Sequence, residues 1–170
     1  MADKKTYVVL ETTIGNVEIE MFMAEAPVTC ANFLEYVKAN FYTGTIFHRI
    51  IAGFMAQGGG FDVAKRQKAT RAPIINEAGN GKKNRRTTVA MARTSDPNSA
   101  TAQFFINLAD NDFLDRDNAA DGVGYAVFGT VTQGMDFIEE AAKIPTVRNE
   151  ISEAWPTKLV AIRKAYVIEK

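Results

Sequence analysis

The chain is poor in the residues that most enzymes use for covalent or acid–base chemistry. It contains one histidine, one cysteine and one tryptophan in 170 residues. A lone cysteine rules out an internal disulfide, and one histidine with one cysteine gives no paired ligand spacing for a metal. No G-x-S-x-G stretch exists to present a nucleophilic serine. A net charge of one sign is missing too: the formal charge is zero, so neither nucleic acid nor a membrane surface would be attracted at long range. No segment approaches the ~18 consecutive apolar residues that span a bilayer. The opening MADKKTYVVLE has lysines but no apolar run long enough for a signal peptide, so a cytoplasmic enzyme or binding protein is expected.

What is present is the composition of an ordinary globule, 46% hydrophobic and 24% charged. With no linker, internal repeat or low-complexity segment, residues 1–170 read as one domain able to bury a core unaided, with 1–5 a loose extension. TYVVLETTIGNVEIEMF reads as two strands around a turn at Gly15–Asn16, with Val17, Ile19 and Met21 alternating against polar neighbours. APVTCANFLEYVKANF is the clearest helix: Pro27 suits its first turn, and Val28, Ala31, Leu34, Tyr36 and Val37 fall near helical spacing. Cys30 is expected on its buried side, inert in packing or, alternatively, a usable thiol. TTVAMA, QFFINL, YAVFGTV and KLVAIRKAYVIE read as further strands, and GMDFIEEAAKI as a second helix. From Phe61 to Arg86 the chain is polar and rich in turn formers. Many short strands without βαβ alternation predict an antiparallel barrel or sandwich.

AGNGKKNRRTT resembles a phosphate-binding loop but fails as one. Asn76 stands where the P-loop needs its first glycine, and Lys83 where Ser or Thr should follow the lysine. Lys82, Lys83, Arg85 and Arg86 read as a solvated loop, or as a bias towards acidic peptides.

The polar residues of TIFHRIIAGFMAQGGGF need another account. Strand alternation sets His48 with Ile46 and Ile50, and Arg49 with Phe47 and Ile51. A lone strand histidine is usually a satisfied structural residue. Met55 and Gln57 share a face, as do Gln103 and Phe105, while Phe104 turns towards the presumed core. If these strands adjoin, one surface collects Arg49, Met55, Gln57, Gln103 and Phe105. That is either a ligand pocket, apolar with a few convergent polar groups, or an ordinary mixed barrel exterior. The pattern does not decide between them.

FHRIIAGFMAQGGGF, MARTSDPNSATAQFFI and YAVFGTV together resemble the cyclophilin family of peptidyl-prolyl cis-trans isomerases, in particular its compact bacterial members. The resemblance covers nearly the whole chain, and the FHR…GFM.QGG segment followed by QFF is highly specific. It implies a mainly β fold, a closed eight-stranded antiparallel β-barrel capped by two α-helices, with the active groove on the barrel's outside. It implies Arg49 as the catalytic residue. Phe54, Met55 and Phe105 match the walls of a proline pocket that Leu114 closes at one end. Gln57 and Gln103 match substrate-positioning groups. Ala92 and Arg93 match the segment whose backbone pairs with the residue before the proline. The implied partners are proline-containing peptides and unfolded protein segments, with no cofactor or metal, no nucleic acid and no membrane; a monomer is the family default.

Some positions depart from the family pattern. Phe113 stands where many eukaryotic members have a tryptophan whose indole N–H bonds cyclosporin, so cyclosporin is expected to bind weakly. Tyr125 replaces a histidine that lines the groove in many relatives. Arg93 replaces a common asparagine, with a role expected to lie mainly in backbone pairing. Residues 115–123 are longer than in compact members, and Trp155 is expected to be structural.

Overall fold

A computed structural model describes residues 4–170. Residues 1–3 of the expected extension lie outside the described residues, but Lys5 already exchanges two backbone hydrogen bonds with Lys170, at 2.9 and 3.1 Å. The strands are β1 (Thr6–Thr12), β2 (Gly15–Met21), β3 (Thr45–Ile51), β4 (Met55–Asp62), β5 (Thr88–Met91), β6 (Phe104–Asn107), β7 (Val127–Gln133), β8 (Thr146–Val147), β9 (Trp155–Pro156) and β10 (Ile162–Glu169). The helices are α1 (Pro27–Lys38) and α2 (Met135–Ala141). Eight strands form one antiparallel sheet in the order β10-β1-β2-β7-β5-β6-β4-β3, and β8 pairs with β9 in a separate ribbon.

The sheet curls until its edges meet, but the expected closed barrel has a laced seam instead of a continuous last ladder. Ile46 bridges Ala161. Gly44 N–H donates to the Ile162 carbonyl at 2.8 Å and Phe47 N–H to the Val160 carbonyl at 2.9 Å. The reason lies in β3, whose register against β4 slips twice, between Thr45 and Phe47 and between Phe47 and Arg49. Bulges of this kind bend and twist a strand, so its outer edge cannot present evenly spaced partners. Gly58 is required here, because a Cβ on it would lie 2.8 Å from the Ile46 carbonyl oxygen.

The second slip changes which residues share a face. Phe47 pairs with Gly58 and Arg49 with Gln57, leaving His48 as the extra residue of the bulge. Phe47 therefore turns into the inner core against the Phe104 ring, 5.9 Å between centroids, and does not share Arg49's face as simple alternation predicts. Inside the sheet, Phe33, Tyr42, Phe104 and Phe128 form the aromatic centre of the core, with Phe104 edge-on to both Phe33 and Tyr42. The buried Tyr42 hydroxyl is satisfied by the Ala102 carbonyl at 2.7 Å.

Helix α1 closes one end of the curl. It buries Thr29, Cys30, Phe33, Leu34, Tyr36 and Val37; Val28 and Ala31, expected on that face, are exposed. Its N-cap residue, Ala26, has no capping side chain. Glu77 supplies the cap from across the chain, accepting from Thr29 N–H at 2.6 Å and Val28 N–H at 3.3 Å, the role an adjacent Ser or Asp usually fills. Cys30 donates to the Phe128 carbonyl at 3.4 Å, and burial pushes its thiol up to about 12. It is a packing residue.

Candidate active groove

The outer face of the same sheet carries a second, smaller apolar cluster of Met55, Ala90, Phe105, Leu114 and Val127, flanked by Phe54, Ala92 and Tyr125. Strand register assembles it. Arg49 on β3 lies opposite Gln57 on β4, Gln57 opposite Phe105 on β6, and Phe105 opposite Ala90 on β5. A row across four strands thus joins a cation, an amide and an aromatic floor that are far apart in sequence. A cleft of about 270 Å³ opens above it, lined by Arg49, Phe54, Met55, Gln57, Ala92, Arg93, Phe105, Phe113, Leu114 and Tyr125. Every residue that the resemblance assigns to the groove lines this cleft except Gln103. That residue lines the adjoining depression with Gln57, Gln67, Thr94, Ser99 and Thr101.

A chain of polar contacts runs along the groove's edge. Arg49 Nη1 donates to Gln57 Oε1 at 3.2 Å and approaches Met55 Sδ at 3.6 Å. Gln57 Nε2 in turn donates to Gln103 Oε1 at 2.9 Å. The guanidinium carbon lies 5.7 Å from the centre of the Phe54 ring. Gly60 makes room for this arrangement: a Cβ there would stand 2.5 Å from Gln103 Nε2.

Strand alternation sets His48 and Arg49 on different faces, and only Arg49 reaches the groove. His48 is 4% exposed, lies edge-on to Phe61 at 4.8 Å, and lines no part of the groove. Its Nδ1 has no hydrogen-bond partner among the described residues. Burial and, secondarily, the Arg49 charge lower its pKa to about 4, so the ring is neutral at physiological pH.

Arg93 is engaged through its side chain as well as at its backbone position. Its side chain, 3% exposed, lies over the Tyr125 ring with the guanidinium carbon 4.3 Å from the centroid. Nη2 donates to Asp121 Oδ2 at 2.6 Å and to the Gly124 carbonyl at 2.8 Å. Asp121 Oδ1 accepts from the N–H groups of Val123 and Gly124, and these bonds, with Arg93, hold its carboxyl well below the usual carboxylate range. The guanidinium thus latches the long 115–123 loop against the groove wall. The Arg93 backbone N–H and C=O make no hydrogen bond among the described residues, which leaves them open to an extended ligand.

Four further residues support the groove without a sequence signal. Asn84 and Asn107 are fully buried and Asn111 nearly so. Asn111 Nδ2 donates to the Phe54 carbonyl and to Asn107 Oδ1, both at 2.8 Å, and Asn107 Nδ2 donates to Asn84 Oδ1 at 3.1 Å. This ladder ties the β3–β4 turn to the 3-10 turn Asp112–Leu114 that bears Phe113 and Leu114. Glu153 is the fourth, its Oε1 accepting from Arg49 Nε at 2.7 Å. Asn and Glu are so common that nothing local marks these four.

Lys82 and Arg86 of the basic cluster are paired at the surface with Glu25 and Glu139. Trp155 is half-buried in β9, with Lys65 Nζ 5.3 Å from its ring. Among the described residues no group of three or more His, Cys, Asp or Glu could hold a metal, and no helix is long and apolar enough to cross a membrane.

Comparison with known proteins agrees with this geometry. The sequence model of the family described as cyclophilin type peptidyl-prolyl cis-trans isomerase/CLD matches residues 7–167. A peptidyl-prolyl cis-trans isomerase of Acinetobacter baylyi is 52% identical over 157 residues, 92% of this chain and 82% of that protein. Peptidyl-prolyl cis-trans isomerase B of Escherichia coli is 48% identical over 163 residues, 95% of this chain and 99% of that protein. The crystal structure of a Cryptosporidium parvum cyclophilin type peptidyl-prolyl cis-trans isomerase, obtained in the presence of the dipeptide Ala-Pro, superposes with a TM-score of 0.77 at 25% identity, covering 96% of this chain and 99% of that one. With groove, fold and relatives in agreement, the chain belongs to the cyclophilin-type peptidyl-prolyl cis-trans isomerase family.

Proposed function

We propose that the outer groove accelerates rotation about Xaa-Pro bonds in unfolded or flexible protein segments, with Arg49 as its catalytic residue. The observation that carries this reading is a guanidinium held at the rim of a cleft of about 270 Å³ with an apolar floor of Met55 and Phe105. Rotation about a peptide C–N bond meets a barrier of ~18–20 kcal/mol, because the nitrogen lone pair is delocalised into the carbonyl. No bond is broken, so neither a nucleophile nor a proton shuttle is required. A catalyst has to hold the twisted amide better than either planar isomer, and each ~1.4 kcal/mol of that difference gives a tenfold rate gain.

The residues divide this task. Phe54, Met55, Phe105 and Leu114 hold the pyrrolidine ring, and Phe113 and Tyr125 complete the walls. The open backbone of Arg93, beside Ala92, pairs with the residue before the proline, while Gln57 and Gln103 orient the peptide. With the ring held, the preceding carbonyl turns. The lone pair then localises on the prolyl nitrogen, a stronger acceptor, and Arg49 donates to it or to the moving carbonyl without titrating. The apolar floor favours the same state, since the twisted amide has lost resonance polarity.

The test is an isomerisation assay on an Xaa-Pro peptide. Arg49→Ala is expected to lower kcat/KM by about 10²–10³-fold, the usual loss on removing one transition-state donor. A wild-type rate equal to the uncatalysed one would instead leave a proline-binding module. We further assign the protein to folding assistance in the cytoplasm as a monomer, binding cyclosporin weakly because Phe113 offers no N–H.

A further inference from the structure

Arg49 is held from two sides, and only one of them belongs to the groove. On the groove side, Nη1 donates to Gln57 Oε1. On the other, Nε donates to Glu153 Oε1 at 2.7 Å, 104 residues away in sequence. Two bonds at different edges of a planar, rigid guanidinium determine both its position and the direction of its plane. They leave Nη2 as the guanidinium nitrogen with no hydrogen-bond partner among the described residues. We propose that Glu153 is a positioning residue for isomerisation, holding the Nε edge of Arg49 so that the guanidinium stays fixed at the groove rim where the amide twists.

Glu153 is itself held in place. Asn149 Oδ1 accepts from the N–H groups of Ile151 and Ser152, both at 2.9 Å, and Ala154 N–H donates to Ser152 Oγ at 3.0 Å. The Ala154 carbonyl then accepts from Ile50 N–H at 3.1 Å, so the residue after Glu153 is bonded to the residue after Arg49. The loop is in register with β3 at the position where the arginine leaves the strand. Its hydrogen bond with Arg49 foremost, the Glu153 carboxyl is kept below its ordinary pKa and is ionised at neutral pH. The pair is partly solvated, with side-chain exposures of 28% and 45%, and such pairs add little to stability. What the contact does accomplish is to restrict an arginine that would otherwise sample many rotamers. Near-attack geometry is sensitive to that freedom, because a misplaced donor meets the transition state less often.

The inference rests on Arg49 being the catalytic donor. Exchange NMR on an Xaa-Pro peptide, which separates turnover from peptide affinity, tests both claims with Arg49→Ala as the reference. Glu153→Ala is expected to lower kcat about fivefold with peptide affinity and thermal midpoint unchanged. Glu153→Gln is expected to keep more than half of wild-type kcat, because the amide oxygen accepts the same Nε–H bond. The Arg49 Nε–H resonance should stay protected from exchange in wild type and Glu153→Gln and lose protection in Glu153→Ala. Wild-type kcat in Glu153→Ala would overturn the proposal, as would an equal change in both Glu153 variants, which would make the effect one of charge. A loss explained by a lower thermal midpoint would overturn it as well. If Arg49→Ala isomerises as well as wild type, the assignment of Arg49 itself fails; if Arg49→Ala is inactive and Glu153→Ala normal, only the role of Glu153 fails.

Discussion

Phe104 and Phe105 are adjacent, equally apolar and almost equally hidden from solvent, yet they serve opposite faces of one sheet. Phe104 stands edge-on to Phe33 and Tyr42 in the inner core, where aromatic neighbours enclose it. Phe105 has Tyr125 edge-on at 5.8 Å on one side and the open cleft on another. The inner face is finished: its apolar groups are covered by the chain itself. The outer face is left incomplete, an apolar floor with a charged rim, and this is the surface a proline ring can complete. Burial alone does not separate a stability residue from a binding one; what the buried atom faces does.

Truncating each phenylalanine gives the largest contrast. Phe104→Ala is expected to cost about 3–5 kcal/mol, because the close-packed interior cannot collapse onto the space. Phe105→Ala should cost roughly 2 kcal/mol, since its space opens to the cleft and admits water, yet it should reduce isomerisation per folded molecule more than tenfold. Chemical denaturation with an activity assay checks both, and equal stability losses with equal activity losses would erase the distinction.

Acid stability sharpens the comparison between His48 and Arg49. His48 is buried and neutral, with a folded pKa of about 4 against ~6.5 when unfolded. Its contribution is therefore fully present above pH ~6.5, falls as pH drops towards 4, and amounts to roughly 3 kcal/mol across that window. His48→Gln should flatten the stability curve there. The carboxylates held low, Asp121, Asp62, Glu18 and Glu153, act only at lower pH. Isomerisation by the folded protein should be level from pH 6 to 8, because Arg49 does not titrate. A rate following an ionisation near 6.5 and abolished in His48→Gln would give the histidine back a catalytic part.

Two smaller effects belong to the groove's edge. Gly60→Ala should displace the flexible Gln103 side chain, break its bond to Gln57 and lower kcat/KM by about fivefold, equivalent to ~1 kcal/mol, with little change in thermal midpoint. Phe113→Trp should tighten cyclosporin about fivefold by restoring one N–H donor, a neutral hydrogen bond of ~1 kcal/mol. Titration calorimetry reads that gain, and an unchanged affinity would show that the missing donor is not what weakens the drug.

The sequence alone determined the eight strands of the main sheet and the helix at Pro27, because period-2 alternation and helical spacing are local properties. The cleft residues came from the resemblance carried by FHRIIAGFM, QFF and the flanking segments, and the short β8–β9 ribbon had no sequence signal. The same local rule misplaced Phe47, since a bulge at His48 adds one residue to the count and reverses the face, and bulges arise from pairing with another strand. It also set Val28 and Ala31 on the buried side of α1, where Thr29, Cys30 and Phe33 turn inward instead, beside Leu34, Tyr36 and Val37. Only the tertiary structure brought Glu153 to Arg49, stacked Asn84, Asn107 and Asn111 beneath the groove, and drew Asp121 to Arg93. These contacts join residues remote in sequence through single side-chain bonds, and such a bond imposes no period, spacing or composition on the chain that would reveal it before folding.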